Sequence, residues 1–258
     1  MMETLILTHL YFLGSVRRQV HLATLFLGTI LFMLPSYINA FSLGINAFER
    51  VSKDFGLTLI GYFGIAMAIL LASTSIPRDL ENRSIYPVLA RPVRRYQYLL
   101  AHYLALVALL ACSYLFLGLC LSAAVSALTR QIDLTLFIAV FTSFLQACVV
   151  GAITSAVSTV ASPALAGTVG AFVFLVGSLP GAFIRFFLVE DRDNQFAAAL
   201  ATGLKSALPN LAVFSLKDPI VHDIPFNHSY IFALIGYALV WVALSQVVAG
   251  ILFGRRDL

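Results

Sequence analysis

Seven charged side chains crowd into IPRDLENRSIYPVLARPVRR, residues 76–95: Arg78, Asp79, Glu81, Arg83, Arg91, Arg94 and Arg95. Leu80, Ile85, Val88 and Leu89 give the same stretch an apolar side, and Pro87 and Pro92 break it into brief helical pieces. Such a segment can dock into a cleft on a soluble partner, because interface energy concentrates in a few groups with arginine often among them. Binding to anionic lipid headgroups is an equal alternative on these residues alone. A second group, Thr142, Ser143, Gln146 and Thr154, falls within an arc of roughly 120° on an ideal helix. Polar groups on one face of an apolar helix either hydrogen-bond to neighbouring helices or line a wet translocation path. A third group, His222, Asp223 and His228, could bind a metal, but it has no second cluster beside it and suits a solvated loop better.

Catalytic signatures are missing. The sequence contains no HExxH and no G-x-S-x-G. Gly203-Leu204-Lys205-Ser206 lacks the glycine that a P-loop places directly before its lysine. Cys112, Cys120 and Cys148 all lie in apolar runs without the paired spacing of a zinc site, and read as small hydrophobes. No Asp or Glu falls well inside an apolar run, which argues against a proton- or sodium-driven carrier. The chain is expected to be non-enzymatic, with no cofactor or metal of its own and no nucleic-acid partner. If it moves something, the energy comes from elsewhere.

The elements that position these groups follow from composition. Of 258 residues, 60% are hydrophobic and only 11% are charged, against about 25% charged in a soluble domain. Six segments are long enough to cross a hydrocarbon core: about 20–43, 57–76, 98–128, 134–161, 164–188 and 229–253. Backbone amides in lipid must be satisfied within the segment, so these are expected to be helices. The fold class is all-α and polytopic, a single transmembrane domain over 1–258. Residues 1–18 form a candidate interfacial elbow helix of modest amphipathicity. The N-terminus does not fit a signal peptide, since Arg17 and Arg18 follow the apolar stretch instead of preceding it.

Charge sets the expected orientation. With six spans and the N-terminus inside, nine cations and four acids face the cytoplasm, while seven cations and eight acids face outward over longer loops. Both termini are then cytoplasmic, 77–97 is a cytoplasmic loop and 189–228 an outer one. Within the outer loop, Phe196, Leu200, Leu204 and Leu208 mark one face of a short helix ended by Pro209. Small residues recur every fourth position at Gly64, Ala68 and Ala72, and at Gly167/Ala171 and Gly177/Gly181, which lets helices approach closely.

The stretch RDLENRSIYPVLARPVRRYQYLLAHYLAL, residues 78–106, resembles the characteristic segment of ABC-2 type transporter permeases. In that family an E-x-R element, an "lL-x-x-P-v-x-R" core and a "yll-x-K-x-l" entry into the third helix follow in order. Glu81 and Arg83, then Leu89, Arg91-Pro92-Val93 and Arg94/Arg95, then Tyr98-Leu99-Leu100 match them. His102 stands where many members have lysine, and Ser84-Ile85 where Gly-Thr is commoner. The ending Phe253-Gly254-Arg255-Arg256-Asp257-Leu258 resembles the family's F-x-R-R-D finish.

The resemblance implies a type V exporter-like architecture in the inner membrane of a prokaryote. It implies a separate ABC ATPase subunit carrying ATP and Mg, a second permease copy (identical or related), surrounding lipid, and room for a periplasmic partner. Arg78, Asp79, Glu81, Arg83, Leu89, Arg91, Arg94 and Arg95 would form the ATPase-coupling surface, with Ser162 and Pro163 a smaller contact. The family mostly exports lipids, glycans, drugs or peptides, and some members may work mechanically. A channel or facilitator, and a membrane scaffold for an assembly complex, are the alternatives from other functional classes.

Overall fold

A helix in an apolar environment is the form that satisfies every backbone amide within its own segment, and this rule accounts for nearly all of the architecture. The computed structural model describes residues 20–39, 45–81, 95–130, 133–178, 208–221 and 229–254, together with Thr8 and Tyr11. In chain order the helices are α1 (Val20–Asn39), α2 (Ile45–Glu81), α3 (Arg95–Thr129), α4 (Thr135–Ser158), α5 (Pro163–Ser178), α6 (Lys217–Val221) and α7 (Ser229–Gly254), with a 3-10 turn at Leu211–Phe214 before α6. No strand occurs among the described residues. Four of these helices are long and apolar enough to cross a membrane, over Arg50–Asp79, Tyr96–Ala127, Thr135–Ser158 and Ser229–Gly254. α1 and α5 are shorter apolar helices where the structure describes them, over Leu22–Met33 and Pro163–Ser178.

α4 is the central helix. Six consecutive residues, Ala147 to Ala152, are all buried, so neighbours enclose it on every side. It packs against α2, α3, α5 and α7. α7 is the opposite case: its buried residues Leu234, Ala238, Ser245, Ala249 and Phe253 make one narrow stripe, while Phe232, Leu239, Leu244, Val247 and Ile251 are exposed.

The small-residue face of α2 packs as its spacing implies. Gly64, Ala68 and Ala72 are buried, and the Tyr114 ring of α3 occupies the space where a Gly64 side chain would lie. Gly177 of α5 is similarly tight, because a Cβ there would come 2.8 Å from the Pro209 carbonyl. That contact seats the 208–216 stretch on the bundle end. Tyr237 Oη accepts from Asn210 N at 2.8 Å, and Tyr230 Oη donates to the Val213 carbonyl at 2.8 Å, which ties the same stretch to α7.

The expected break at residue 77 does not occur. α2 runs through the buried Pro77 to Glu81, and α3 begins at Arg95, so the connection between them is 82–94 and not 77–97. α2 also begins earlier than the span expected at 57, taking in the charged stretch 49–54. Two of these charges, Lys53 and Asp54, are paired along the helix. Lys53 bonds to Asp133, and Asp54 accepts from Lys217 Nζ at 2.9 Å.

The turns are capped simply. Arg130 adopts a positive φ of 56° while its amide donates to the Ser126 carbonyl at 2.8 Å, a left-handed stop to α3. Pro163 opens α5 at the first helical position, where its missing N–H costs nothing, and the Ser162 carbonyl accepts from Ala166 N at 2.9 Å.

Candidate functional site

Two places in the bundle gather polar side chains, one at each end of α2. At the Glu81 end, Arg78 is exposed and Asp79 is turned inward. Tyr98 Oη donates to Asp79 Oδ2 at 3.1 Å, and His102 Nε2 lies 3.1 Å from the same oxygen. Tyr98 and His102 are four residues apart, hence on one face of α3 one turn apart. The Phe253 ring stacks on Tyr98 with centroids 5.9 Å apart, and Tyr11 lies 3.8 Å from the imidazole. Burial raises the Tyr11 phenol above its ordinary value, with the Asp79 charge adding to the effect. Ile76, Tyr98, Leu99, Ala156, Ala249 and Phe253 make a small apolar cluster under these groups. Ala156 lies two residues before the end of α4, so the α4–α5 turn holding exposed Ser162 and half-buried Pro163 belongs to this same end.

Of the expected coupling residues, the structure therefore brings Arg78, Asp79, Ser162 and Pro163 to one end of the bundle. Glu81 closes α2 and Arg95 opens α3, with their backbones alone described. Arg83, Leu89, Arg91 and Arg94 lie outside the described residues, as do His222, Asp223 and His228, and Phe196, Leu200 and Leu204.

The polar face of α4 divides into two pairs. Thr142 and Thr154 are fully buried and bond to carbonyls of their own helix: Thr142 Oγ1 to Ala139 O at 3.1 Å and Thr154 Oγ1 to Val150 O at 2.8 Å. Gly170 of α5 closes directly over the Thr154 hydroxyl. Ser143 and Gln146 instead line a cleft of about 490 Å³ with Thr58, Tyr62, Phe174 and Lys217. Gln146 Nε2 donates to the Leu211 carbonyl at 3.3 Å. Lys217 Nζ bonds to Thr58 Oγ1 at 2.8 Å besides its Asp54 partner, so two turns of α2 hold the ammonium at the rim.

Near the same end, the Asp133 carboxyl precedes α4. Burial pushes it up, but donors from Lys53 and Thr135 outweigh that and hold it below its ordinary carboxylate value. A cleft of apolar walls with hydroxyl, amide and ammonium groups suits an amphipathic ligand.

Lys53, Asp54, Tyr62 and Lys217 are missed by sequence reasoning, which treats them as loop charges or span filler. The one available signal is the i, i+4 spacing of Asp54 and Thr58, which puts both on the Lys217 side of α2.

A family model described as ABC-2 family transporter protein matches residues 3–258. The chain belongs to that family. Comparison with curated proteins returns no match. As an ABC-2 family member this is a membrane transport protein. The family's match covers both polar ends of α2 and the expected coupling stretch at once.

Proposed function

We propose that this chain is the permease subunit of an ATP-driven ABC-2 transporter, with a separate ABC ATPase seated on the Glu81 end of α2. In this reading the protein crosses the inner membrane of a prokaryote six times, with both termini cytoplasmic. The 82–94 connection with Arg78 and Glu81, and the turn at Ser162-Pro163, face the ATPase. ATP and Mg bind on that partner, and a second permease copy completes the route. The lipid-exposed faces of α1 and α7 leave ample surface for that copy.

The observation that carries this reading is the continuity of α2. Its 37 residues span about 55 Å at 1.5 Å per residue. One helix therefore joins Arg78 and Asp79 near its C-terminal end to Thr58 and Tyr62 in the cleft, about 24–32 Å away along its axis. Displacement of the connection by a closing ATPase would be carried along that helix, past Pro77, to the cleft wall. A chain with no energy source of its own acquires one through that helix.

Co-purification tests the reading. An ATPase of roughly domain size is expected to come with the affinity-tagged permease. Exchanging Glu81 and Arg83, which keeps net charge, is expected to lower either complex yield or the activity obtained per ATP hydrolysed, because a lost interface charge pair costs about 2–5 kcal/mol. Wild-type yield, hydrolysis and activity in the swap, with loss only when net charge is removed, would make the connection a lipid anchor.

A further inference from the structure

The three side chains that meet at the Glu81 end of α2 do something that surface docking does not require. Asp79 and His102 have side chains only 18% and 7% exposed, and Tyr98 is fully buried. A carboxylate committed to two internal donors is poorly placed to serve as a contact for a soluble partner. Asp79 is the third residue from the end of α2, and Tyr98 the fourth residue of α3, so their bond bridges the two ends of the 82–94 connection. We propose that Asp79, Tyr98 and His102 form a clasp that pins both ends of that connection, so that α2 and α3 receive its displacement as one body. Tyr98 and His102 are positioning residues that act through Asp79. The proposal rests on the permease reading for its use, and on geometry alone for its existence.

Two further contacts make the clasp a junction of the bundle and not an isolated group. Phe253 of α7 stacks on Tyr98, and Tyr11 of the N-terminal segment packs on the His102 ring. His102 Nδ1 is buried with no hydrogen-bond partner in the protein. The His102 side chain borders a cavity of about 10 Å³ shared with Ser75, Ser155 and Gln246. That is room for one water, with hydroxyl and amide groups to hold it. Gln246 Nε2 donates to Ser155 Oγ at 3.3 Å across the same space. One water would extend the clasp from α2 and α3 to α4 and α7.

The test measures how tightly the two ends are held in the purified permease. Spin labels at Arg78 and Tyr96, both exposed, are introduced after Cys112, Cys120 and Cys148 are replaced by alanine. The wild-type distance distribution is expected to be single and narrow. Y98F/H102L removes both donors while keeping the ring that stacks on Phe253, and its distribution should broaden at least two-fold. Asp79→Ala should do the same. His102→Lys, which keeps a donor beside Asp79, should preserve the narrow distribution in a Tyr98 background, an outcome that simple packing at 102 does not predict.

A distribution as narrow in Y98F/H102L as in wild type overturns the proposal, as does equal broadening in His102→Lys and His102→Leu. If Asp79→Ala fails to fold, the Y98F/H102L comparison decides alone. This measurement needs no ATPase. Absence of an ATPase from the wild-type preparation would therefore refute the permease reading while the label distances still judge the clasp. With the ATPase bound, clasp variants should retain it but show at least a two-fold loss of activity per ATP hydrolysed.

Discussion

Lys53 of α2 and Asp133 before α4 form an ion pair whose side chains are 5% and 23% exposed. Two unit charges in contact attract by about 4–6 kcal/mol at an effective dielectric near 20, before the desolvation of each is subtracted. Desolvation falls mainly on Lys53, the more buried partner. Asp133 has other support: its Oδ1 accepts from Thr135 N at 2.9 Å and from Thr135 Oγ1 at 2.6 Å. The two single substitutions should therefore differ in cost. Lys53→Met leaves a carboxylate that Thr135 and water still solvate, and should cost about 2 kcal/mol. Asp133→Asn keeps an oxygen for Thr135 but takes a carboxylate from the more buried partner, the Lys53 ammonium, and should cost about 3–5 kcal/mol. K53M/D133N removes both charges and should be no less stable than Asp133→Asn alone, giving a coupling of about 2 kcal/mol. Reversible unfolding in mixed micelles at neutral pH measures all four proteins. A smaller cost for Asp133→Asn than for Lys53→Met, or costs that add within about 0.5 kcal/mol, would refute this reasoning.

Further outcomes follow from other contacts. Gly64→Val should drive α2 off the Tyr114 ring and destabilise by about 1–3 kcal/mol, whereas Gly61→Ala, whose Cβ would meet nothing within 4 Å, should be near neutral in the same unfolding assay. The depressed Asp133 carboxyl makes its stabilisation complete above the ordinary carboxylate range and lost as pH falls through its lower folded value. The stability gap between wild type and Asp133→Asn should thus be flat from about pH 6 to 8 and close below about pH 4. Single cysteines at Arg94 and Lys217 should label from opposite sides of intact cells, the second from outside; labelling of both from one side would end the N-in, six-span arrangement.

The apolar runs were enough to say where helices form, because in an apolar environment each segment must satisfy its own amides and does so locally. The face Gly64, Ala68 and Ala72 was equally legible, since four-residue spacing alone puts small side chains on one line. The charged stretch before residue 57 was not. A lysine and an aspartate at 53 and 54 look like a loop until Asp133 and Lys217 arrive from distant parts of the chain to pair with them.

The end of the second span, expected at 76, was also not legible: the helix continues through the buried Pro77 to Glu81. The arc shared by Thr142, Ser143, Gln146 and Thr154 was visible on an ideal helix, but its meaning was not. Gly170 closes over Thr154, while the Leu211 carbonyl draws Gln146 to the cleft. The direction of the Asp79 side chain was likewise decided by two groups one turn apart on another helix, Tyr98 and His102. Periodicity says which residues share a face. What that face meets depends on packing between elements far apart in sequence, and for Gln146 and Asp79 the tertiary structure supplied the partner.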